Sequence, residues 1–144
     1  NPLRWLVALI VGVGMLVALP ATADDDLPGR VGRVANLQGT LLHAPDESAA
    51  DWSAIGQNYP IAQGDNLFVE HDGLAEVDYG GGQFRLAGET NLHVARLDDR
   101  QLALFVAAGR VIVRVRVLDP DDSLRIDTPA TQVALVRPGL YRID

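Results

Sequence analysis

The stretch Val111-Ile112-Val113-Arg114-Val115-Arg116-Val117 decides the fold class of this chain. Successive side chains of an extended strand point to opposite faces of a sheet. The alternation therefore places Val113, Val115 and Val117 on one face and the two arginines on the other. The stretch predicts a half-buried β-strand.

The same period of two recurs along most of the chain. It is seen in Leu74–Tyr79, Phe84–Leu86, Leu92–Leu97, Leu102–Val106, Leu124–Asp127 and Leu140–Ile143. Clusters rich in Gly, Pro and Asp separate these segments, and such residues favour chain reversals. We therefore predict an all-β domain of stacked short antiparallel hairpins, arranged as a sandwich, a roll or a solenoid.

The N-terminal segment differs from the rest of the chain. Arg4 precedes an unbroken apolar run from Trp5 to Leu19, and the tripeptide Ala21-Thr22-Ala23 is followed by Asp24. This order is typical of a secretory signal peptide with Ala21 and Ala23 before the cleaved bond and Asp24 after it. As an apolar helix the run would be roughly 22 Å long, shorter than the ~30 Å hydrocarbon core of a bilayer. The alternative is an uncleaved membrane anchor, and under both interpretations the remainder of the chain is exported.

These sequence features divide the chain into three predicted parts. Residues 1–23 are the signal peptide or N-terminal membrane anchor, residues 24–33 a flexible lead-in, and residues 34–144 the β domain. Because the strand pattern continues to Asp144, we expect the domain to be truncated at its C-terminal end. The location predicted for the domain is periplasmic or secreted, or anchored to the inner membrane.

The composition excludes several functions. The net charge is −7, with 12 arginines, no lysine, 15 aspartates and 4 glutamates. A nucleic-acid partner is not expected, because its phosphates require a basic face. The absence of cysteine excludes disulfides, zinc thiolates, iron–sulfur clusters and a cysteine nucleophile.

No group of residues in the sequence predicts catalysis, a cofactor or a metal. His43, His71 and His93 are 28 and 22 residues apart and fall on different predicted elements, so their spacing does not indicate a metal site. Glu70-His71-Asp72 precedes a glycine and is interpreted as a turn. Asp119-Pro120-Asp121-Asp122 lacks the glycine and the final glutamate of a calcium loop and is interpreted as a connection between strands.

Taken together, the turns and strands resemble the FecR-like domain, the envelope-side domain of ferric-citrate-type regulators. The resemblance runs from about Val34 to Asp144. The matching segments are Gly64-Asp65-Asn66-Leu67, Gly73-x-Ala75-Glu76-Val77, Gly82-x-Phe84-x-Leu86, Thr90-x-Leu92-x-Val94, Gly109-Arg110-Val111-x-Val113, Ile126-Asp127-Thr128-Pro129 and Gly139-x-Tyr141-Arg142-Ile143.

The resemblance implies a non-enzymatic domain for envelope protein recognition or signalling, without catalytic residues or a cofactor. The expected partner is an envelope protein or a cell-wall component, and the membrane is contacted only through the N-terminal segment. The alternative is the periplasmic part of a transmembrane sigma-factor regulator whose cytoplasmic part is missing here. The chain departs from the family in having only four residues before the apolar run, and in having Arg137-Pro138-Gly139 where the family has a Gly-Thr-x-Phe-type strand start.

The polar faces of the predicted strands are the candidate contact surface; the alternative, which explains the same residues equally well, is a plain solvated face. Arginine without lysine is suited to bidentate contacts with carboxylates. The residues of this predicted surface are Arg85, Arg96, Arg114 and Arg116, beside Glu76, Asp78 and Asp127.

Overall fold

A computed structural model of the chain describes residues 30–45 and 51–144. These residues form two β-sheets and contain no helix, so the prediction of an all-β domain is confirmed. Within them there is accordingly no helix long and apolar enough to cross a membrane. The predicted apolar helix and the cleavage residues Ala21, Ala23 and Asp24 lie outside the described residues.

The strands are divided between a sheet of six and a sheet of seven. The six-stranded sheet contains β1 (Gly32–Gln38), β4 (Pro60–Ile61), β6 (Leu74–Asp78), β7 (Gly82–Ala87), β10 (Val111–Val115) and β13 (Gly139–Ile143). The seven-stranded sheet contains β2 (Leu41–Ala44), β3 (Ser53–Ile55), β5 (Asn66–Val69), β8 (Asn91–Leu97), β9 (Gln101–Ala108), β11 (Ser123–Asp127) and β12 (Gln132–Leu135). The spatial orders are β13-β10-β7-β6-β1-β4 and β12-β11-β9-β8-β5-β2-β3.

Both sheets contribute to one hydrophobic core. Phe84 of β7 is the largest fully buried side chain, and it lies opposite Val77 of β6 and Val113 of β10. Leu92 and Leu104 of the seven-stranded sheet belong to the same buried cluster. Because one face of each sheet is buried, the intervening residues of each strand point outward, as in a sandwich.

Short turns join three pairs of neighbouring strands, as the sequence predicts: β6 to β7, β8 to β9 and β11 to β12. Asp98 shows how side chains close such a turn, because its Oδ1 accepts hydrogen bonds from the backbone N–H groups of Arg100 (2.9 Å) and Gln101 (2.8 Å). The bond from the Arg100 N–H is the main cause that lowers the pKa of Asp98 below its ordinary value. Local side-chain acceptors therefore stabilise these reversals.

One strand pair departs from the predicted antiparallel hairpins. β9 and β11 run parallel, with Leu102 opposite Leu124 and Leu104 opposite Ile126. Parallel neighbours require a crossover connection rather than a tight turn. Here the chain crosses through β10 in the other sheet before it returns as β11.

Two boundaries also differ from the sequence predictions. β1 begins at Gly32, so the last two residues of the predicted lead-in already belong to the sheet. The predicted burial of Val117 is wrong, because β10 ends at Val115 and Val117 is 58% exposed. The cause is that the N–H groups of Arg116 and Val117 both donate to the Gly81 carbonyl (3.0 Å each), which ends the regular alternation.

A buried threonine connects the two sheets at one end. Thr90, immediately before β8, is fully buried, and its hydroxyl donates to the Arg110 carbonyl (3.1 Å). Its Oγ1 also accepts from the Arg110 N–H (3.0 Å). A Cβ on Gly109, whose φ is +96°, would lie 2.4 Å from this Oγ1, so the close approach requires glycine. Thr90 thus positions the beginning of β10.

We expect Gly82→Ala to destabilise the domain strongly. A Cβ at Gly82 would lie 1.9 Å from the Arg114 carbonyl oxygen, so β7 and β10 would have to separate. The free energy of unfolding in urea should fall by about 3 kcal/mol. Gly56→Ala is the matched control, because a Cβ at Gly56 meets nothing within 4 Å. Equal effects of the two substitutions would contradict the pairing of β7 with β10.

Candidate functional site

The outer face of the six-stranded sheet is the candidate site, and the register of its strands arranges it in rows. In one row Arg114 of β10 lies between Leu140 of β13 and Gln83 of β7. In the next row Ile112 lies between Arg142 and Arg85. These residues project away from the core because Val111, Val113 and Val115 of the same strand are buried.

This face, which we call the arginine face, has a charge opposite to that of the chain. In a chain with a net charge of −7, six arginines meet only three carboxylates here. The arginines are Arg33, Arg85, Arg110, Arg114, Arg116 and Arg142, and the carboxylates are Glu76, Asp78 and Asp144. The negative charge of the chain is therefore concentrated outside the arginine face.

Most of these charges form ion pairs with one another. The Arg85 Nη2 donates to the Glu76 Oε2 at 2.8 Å, directly across the β6–β7 ladder. The Arg116 Nη2 lies 3.4 Å from the Asp78 Oδ2. Such exposed pairs contribute little stability, about 0.2–1 kcal/mol each, so they mainly hold side chains in place.

Asp144 joins two further arginines at the edge of this face. Its carboxylate accepts hydrogen bonds from Arg110 and from the Arg142 Nε, the latter at 3.0 Å. The bond from Arg110 is the main cause that lowers the pKa of Asp144 below its ordinary value. Asp144 is therefore ionised at neutral pH and holds both guanidinium groups.

Arg33 and Arg114 are the two arginines of the face outside these pairs, and Arg114 lies at its centre. It is exposed, and no carboxylate among the described residues lies within ion-pair distance of it. It borders a groove of about 250 Å³. The groove is lined by Glu76, Gln83, Arg85, Ile112, Arg114 and Leu140. The Arg114 guanidinium, which has no ion pair with the described residues, thus lies beside the apolar side chains of Ile112 and Leu140. Leu140 is 65% exposed.

The structure brings together five of the seven residues of the predicted contact surface. Arg85, Arg114, Arg116, Glu76 and Asp78 share the arginine face. The other two, Arg96 and Asp127, belong to β8 and β11 of the seven-stranded sheet. The alternation of the sequence predicts which residues point outward, but not to which sheet each strand belongs.

Other residues of the face were not part of the predicted surface, among them Arg33, Arg110, Leu140, Arg142 and Asp144. The alternation could have identified several of them, because every second residue of a strand lies on the same face. Arg110 is in step with Ile112 and Arg114, and Leu140 is in step with Arg142. Alternation divides the residues of a strand between two faces. Which face points outward is known only once the buried face of the sheet has been identified.

The three histidines lie in three separate environments. His43 is buried, His71 is in an exposed turn beside Asp72 and Glu89, and the His93 Nδ1 lies 2.9 Å from the Asn66 Oδ1. Among residues 30–45 and 51–144, no three potential metal-binding side chains come close enough to share an ion.

His43 and Asp65 form a buried pair that the sequence did not reveal. The His43 Nε2 lies 3.0 Å from the Asp65 Oδ2, although their angles do not fit a hydrogen bond. The same Asp65 oxygen accepts from the Ala62 N–H (2.8 Å), and the His43 ring packs 5.1 Å from that of Tyr59. The pair therefore supports the turn between β4 and β5.

Two acidic segments are turns, as the sequence predicted. The Gly73 N–H donates to the Glu70 carbonyl (3.0 Å) and closes the turn that contains His71. The Asp122 N–H donates to the Asp119 carbonyl (3.0 Å), and the Asp122 carboxylate accepts from the Asp119 N–H (2.9 Å). The carboxylate of Asp122 thus closes its own turn.

Tyr79 is buried beneath one end of the arginine face. It is 3% exposed and its hydroxyl has no hydrogen-bond partner among the described residues. Burial raises the pKa of Tyr79 to about 12, against the opposing attraction of Arg116. The Tyr79 ring stacks near the Phe84 ring, with centroids 6.4 Å apart.

Comparison with known proteins gives no further assignment. No family model, no curated protein and no solved structure matches this chain.

The pKa of Tyr79 predicts a loss of stability in alkali. Its folded pKa of about 12 exceeds the ordinary value of 10.0. Folding therefore favours the neutral form of Tyr79, and this contribution to the free energy of unfolding is fully present below pH 10. It decreases by about 2 kcal/mol as the pH rises toward 12. Urea unfolding at pH 9 to 12 should show this loss in the wild type and much less of it in Tyr79→Phe.

Tyr141→Phe is the control, because the Tyr141 hydroxyl is exposed and donates to the Arg137 carbonyl (2.6 Å). This variant should keep the wild-type pH dependence. At pH 7, Tyr79→Phe should be at least as stable as the wild type, since it removes a buried hydroxyl that has no partner among the described residues. A strongly destabilised Tyr79→Phe would contradict the assignment.

Proposed function

We propose that this chain is an exported, non-enzymatic recognition domain, similar to FecR-like domains, that binds another component of the cell envelope. The component is a protein or a cell-wall polymer. The domain functions in the periplasm or outside the cell, without a catalytic residue, a cofactor or a metal. The second candidate is the periplasmic part of a transmembrane sigma-factor regulator, in which the apolar run from Trp5 to Leu19 would remain as an uncleaved anchor.

The observation that carries the proposal is the arginine face. It concentrates six arginines on the outer sheet surface of an acidic chain, and it places the exposed Leu140 among them. Arginine and large apolar side chains are enriched at the centres of protein interfaces. If this face served only to keep the chain soluble, we would expect it to be negatively charged like the rest of the chain.

The apolar leader supports the location. A positive residue, a run of about 15 apolar residues and an A-x-A site together direct a chain to export. A domain in the envelope without cysteine must rely on packing, and the shared core of the two sheets supplies it.

Envelope binding is tested by photo-crosslinking in the native host. The chain should carry p-benzoylphenylalanine in place of Leu140 on the arginine face or, as a control, in place of Val136. The two positions are 65% and 75% exposed. We expect a crosslinked adduct in the envelope fraction for position 140 only. Adducts at neither position, or equally at both, would contradict the proposal.

The N-terminus of the mature chain distinguishes the two candidates. Mass spectrometry of the protein from a periplasmic extract should find Asp24 as its first residue, because signal peptidase cleaves after the small residue Ala23. Ala23→Trp should abolish this cleavage and leave the chain in the membrane fraction. A wild-type chain that keeps its apolar run in the membrane would favour the transmembrane regulator instead.

A further inference from the structure

We propose that the arginine face binds a peptide segment of a partner protein in which a carboxylate side chain stands next to an apolar one. This inference rests on the proposed function and names the chemistry of its partner. The carboxylate binds Arg114, and the apolar side chain packs on Leu140 and Ile112.

Arg114 differs from its neighbours in its contacts. Arg85, Arg116 and Arg142 each contact a carboxylate of the domain itself, at 2.8, 3.4 and 3.0 Å. Arg114 has none of these contacts with the described residues, yet it is central and surrounded by them. A guanidinium presents parallel N–H donors that fit a carboxylate in bidentate fashion. Of the two arginines that line the groove, Arg85 is paired with Glu76, so Arg114 is the one that is open to an external carboxylate.

Charge complementarity favours an anionic partner. The face has three more arginines than carboxylates, whereas the chain as a whole has a net charge of −7. Such a local excess steers an anionic partner toward this face and away from the acidic surfaces. Recognition through Arg114 thus gives both attraction and orientation.

The groove beside Arg114 sets the size of the bound group. Its volume of about 250 Å³ is below the roughly 300–1,000 Å³ of typical small-molecule pockets, and it lies on an open sheet face. It suits one or two side chains of a macromolecule better than a whole metabolite. Its apolar part, Ile112 and Leu140, matches an apolar side chain adjacent to the carboxylate.

The carboxylates of the face favour a protein over a membrane or a polyanion. Glu76 lines the groove, and Asp78 and Asp144 lie within the same arginine face. A uniformly anionic surface would bring negative charge against all three of them, and juxtaposed like charges are unfavourable. A peptide with one suitably placed carboxylate avoids this repulsion. The apolar side chains of the groove, Ile112 and Leu140, add a contact that a phospholipid headgroup layer does not supply.

The test selects peptides from a random display library on the immobilised full chain and measures their affinities by fluorescence anisotropy. We expect the selected sequences to share Asp or Glu next to Leu, Ile, Val or Phe. Arg114→Gln should weaken binding by about tenfold or more, since it removes a charge-assisted hydrogen-bonded contact. Failure to select such sequences would overturn the inference.

Arg125→Gln is the matched control, with the same change of charge on an exposed arginine of the seven-stranded sheet. The Arg125 Nη2 lies 3.0 Å from the Asp127 Oδ2, in the sheet that does not contain the groove. It should bind the selected peptides like the wild type. Because Arg114 makes no ion pair within the described residues, urea unfolding of Arg114→Gln should match that of the wild type. Equal affinities of both variants would contradict the role of Arg114.

Two further measurements separate the alternatives. Vesicles containing phosphatidylglycerol should not bind the chain; binding that is lost in Arg114→Gln would identify a lipid surface instead and overturn the inference. The crosslink from position 140 should weaken when Arg114→Gln is added. A crosslink that persists at full strength would leave the proposed envelope recognition standing while it refutes the carboxylate contact.

Discussion

The burial of Phe84 between Val77 and Val113 is the constraint on which the rest of the structure depends. These three residues lie opposite one another on β6, β7 and β10, and all are fully buried. A slip of one residue in any of these strands would turn its buried apolar side chains to solvent and its outward-facing polar side chains into the core. The core therefore holds the register that assembles the arginine face on the opposite side.

That register has an electrostatic consequence. β10 lies between β7 and β13, so Arg114 and the pair Arg85–Glu76 are brought together from segments far apart in the chain. The result is a positive face on an acidic domain. The function that we propose, recognition of an envelope partner, and the peptide chemistry that we infer for it both use this contrast of charge.

Much of the fold could be predicted from the sequence, because alternation and turn residues act over short distances. Seven of the thirteen described strands (β6 to β11 and β13), the hairpin turns and the outward position of Arg114 follow from such local patterns, whereas β1 to β5 and β12 were not predicted. The strand order and the parallel pairing of β9 with β11 could not be predicted, since they depend on contacts between distant segments. For the same reason the groove between Arg114 and Leu140, and the buried pair of His43 with Asp65, become visible only in three dimensions.

The register of β10 is the most direct test of the arginine face, and it can be measured by interstrand nuclear Overhauser effects in the isotopically labelled chain. We predict contacts of the Ile112 backbone with Arg85 on one side and with Arg142 on the other. We also predict contacts of Val113 with Phe84. A register shifted by one residue, or a different strand beside β10, would place Arg114 elsewhere and contradict the arginine face.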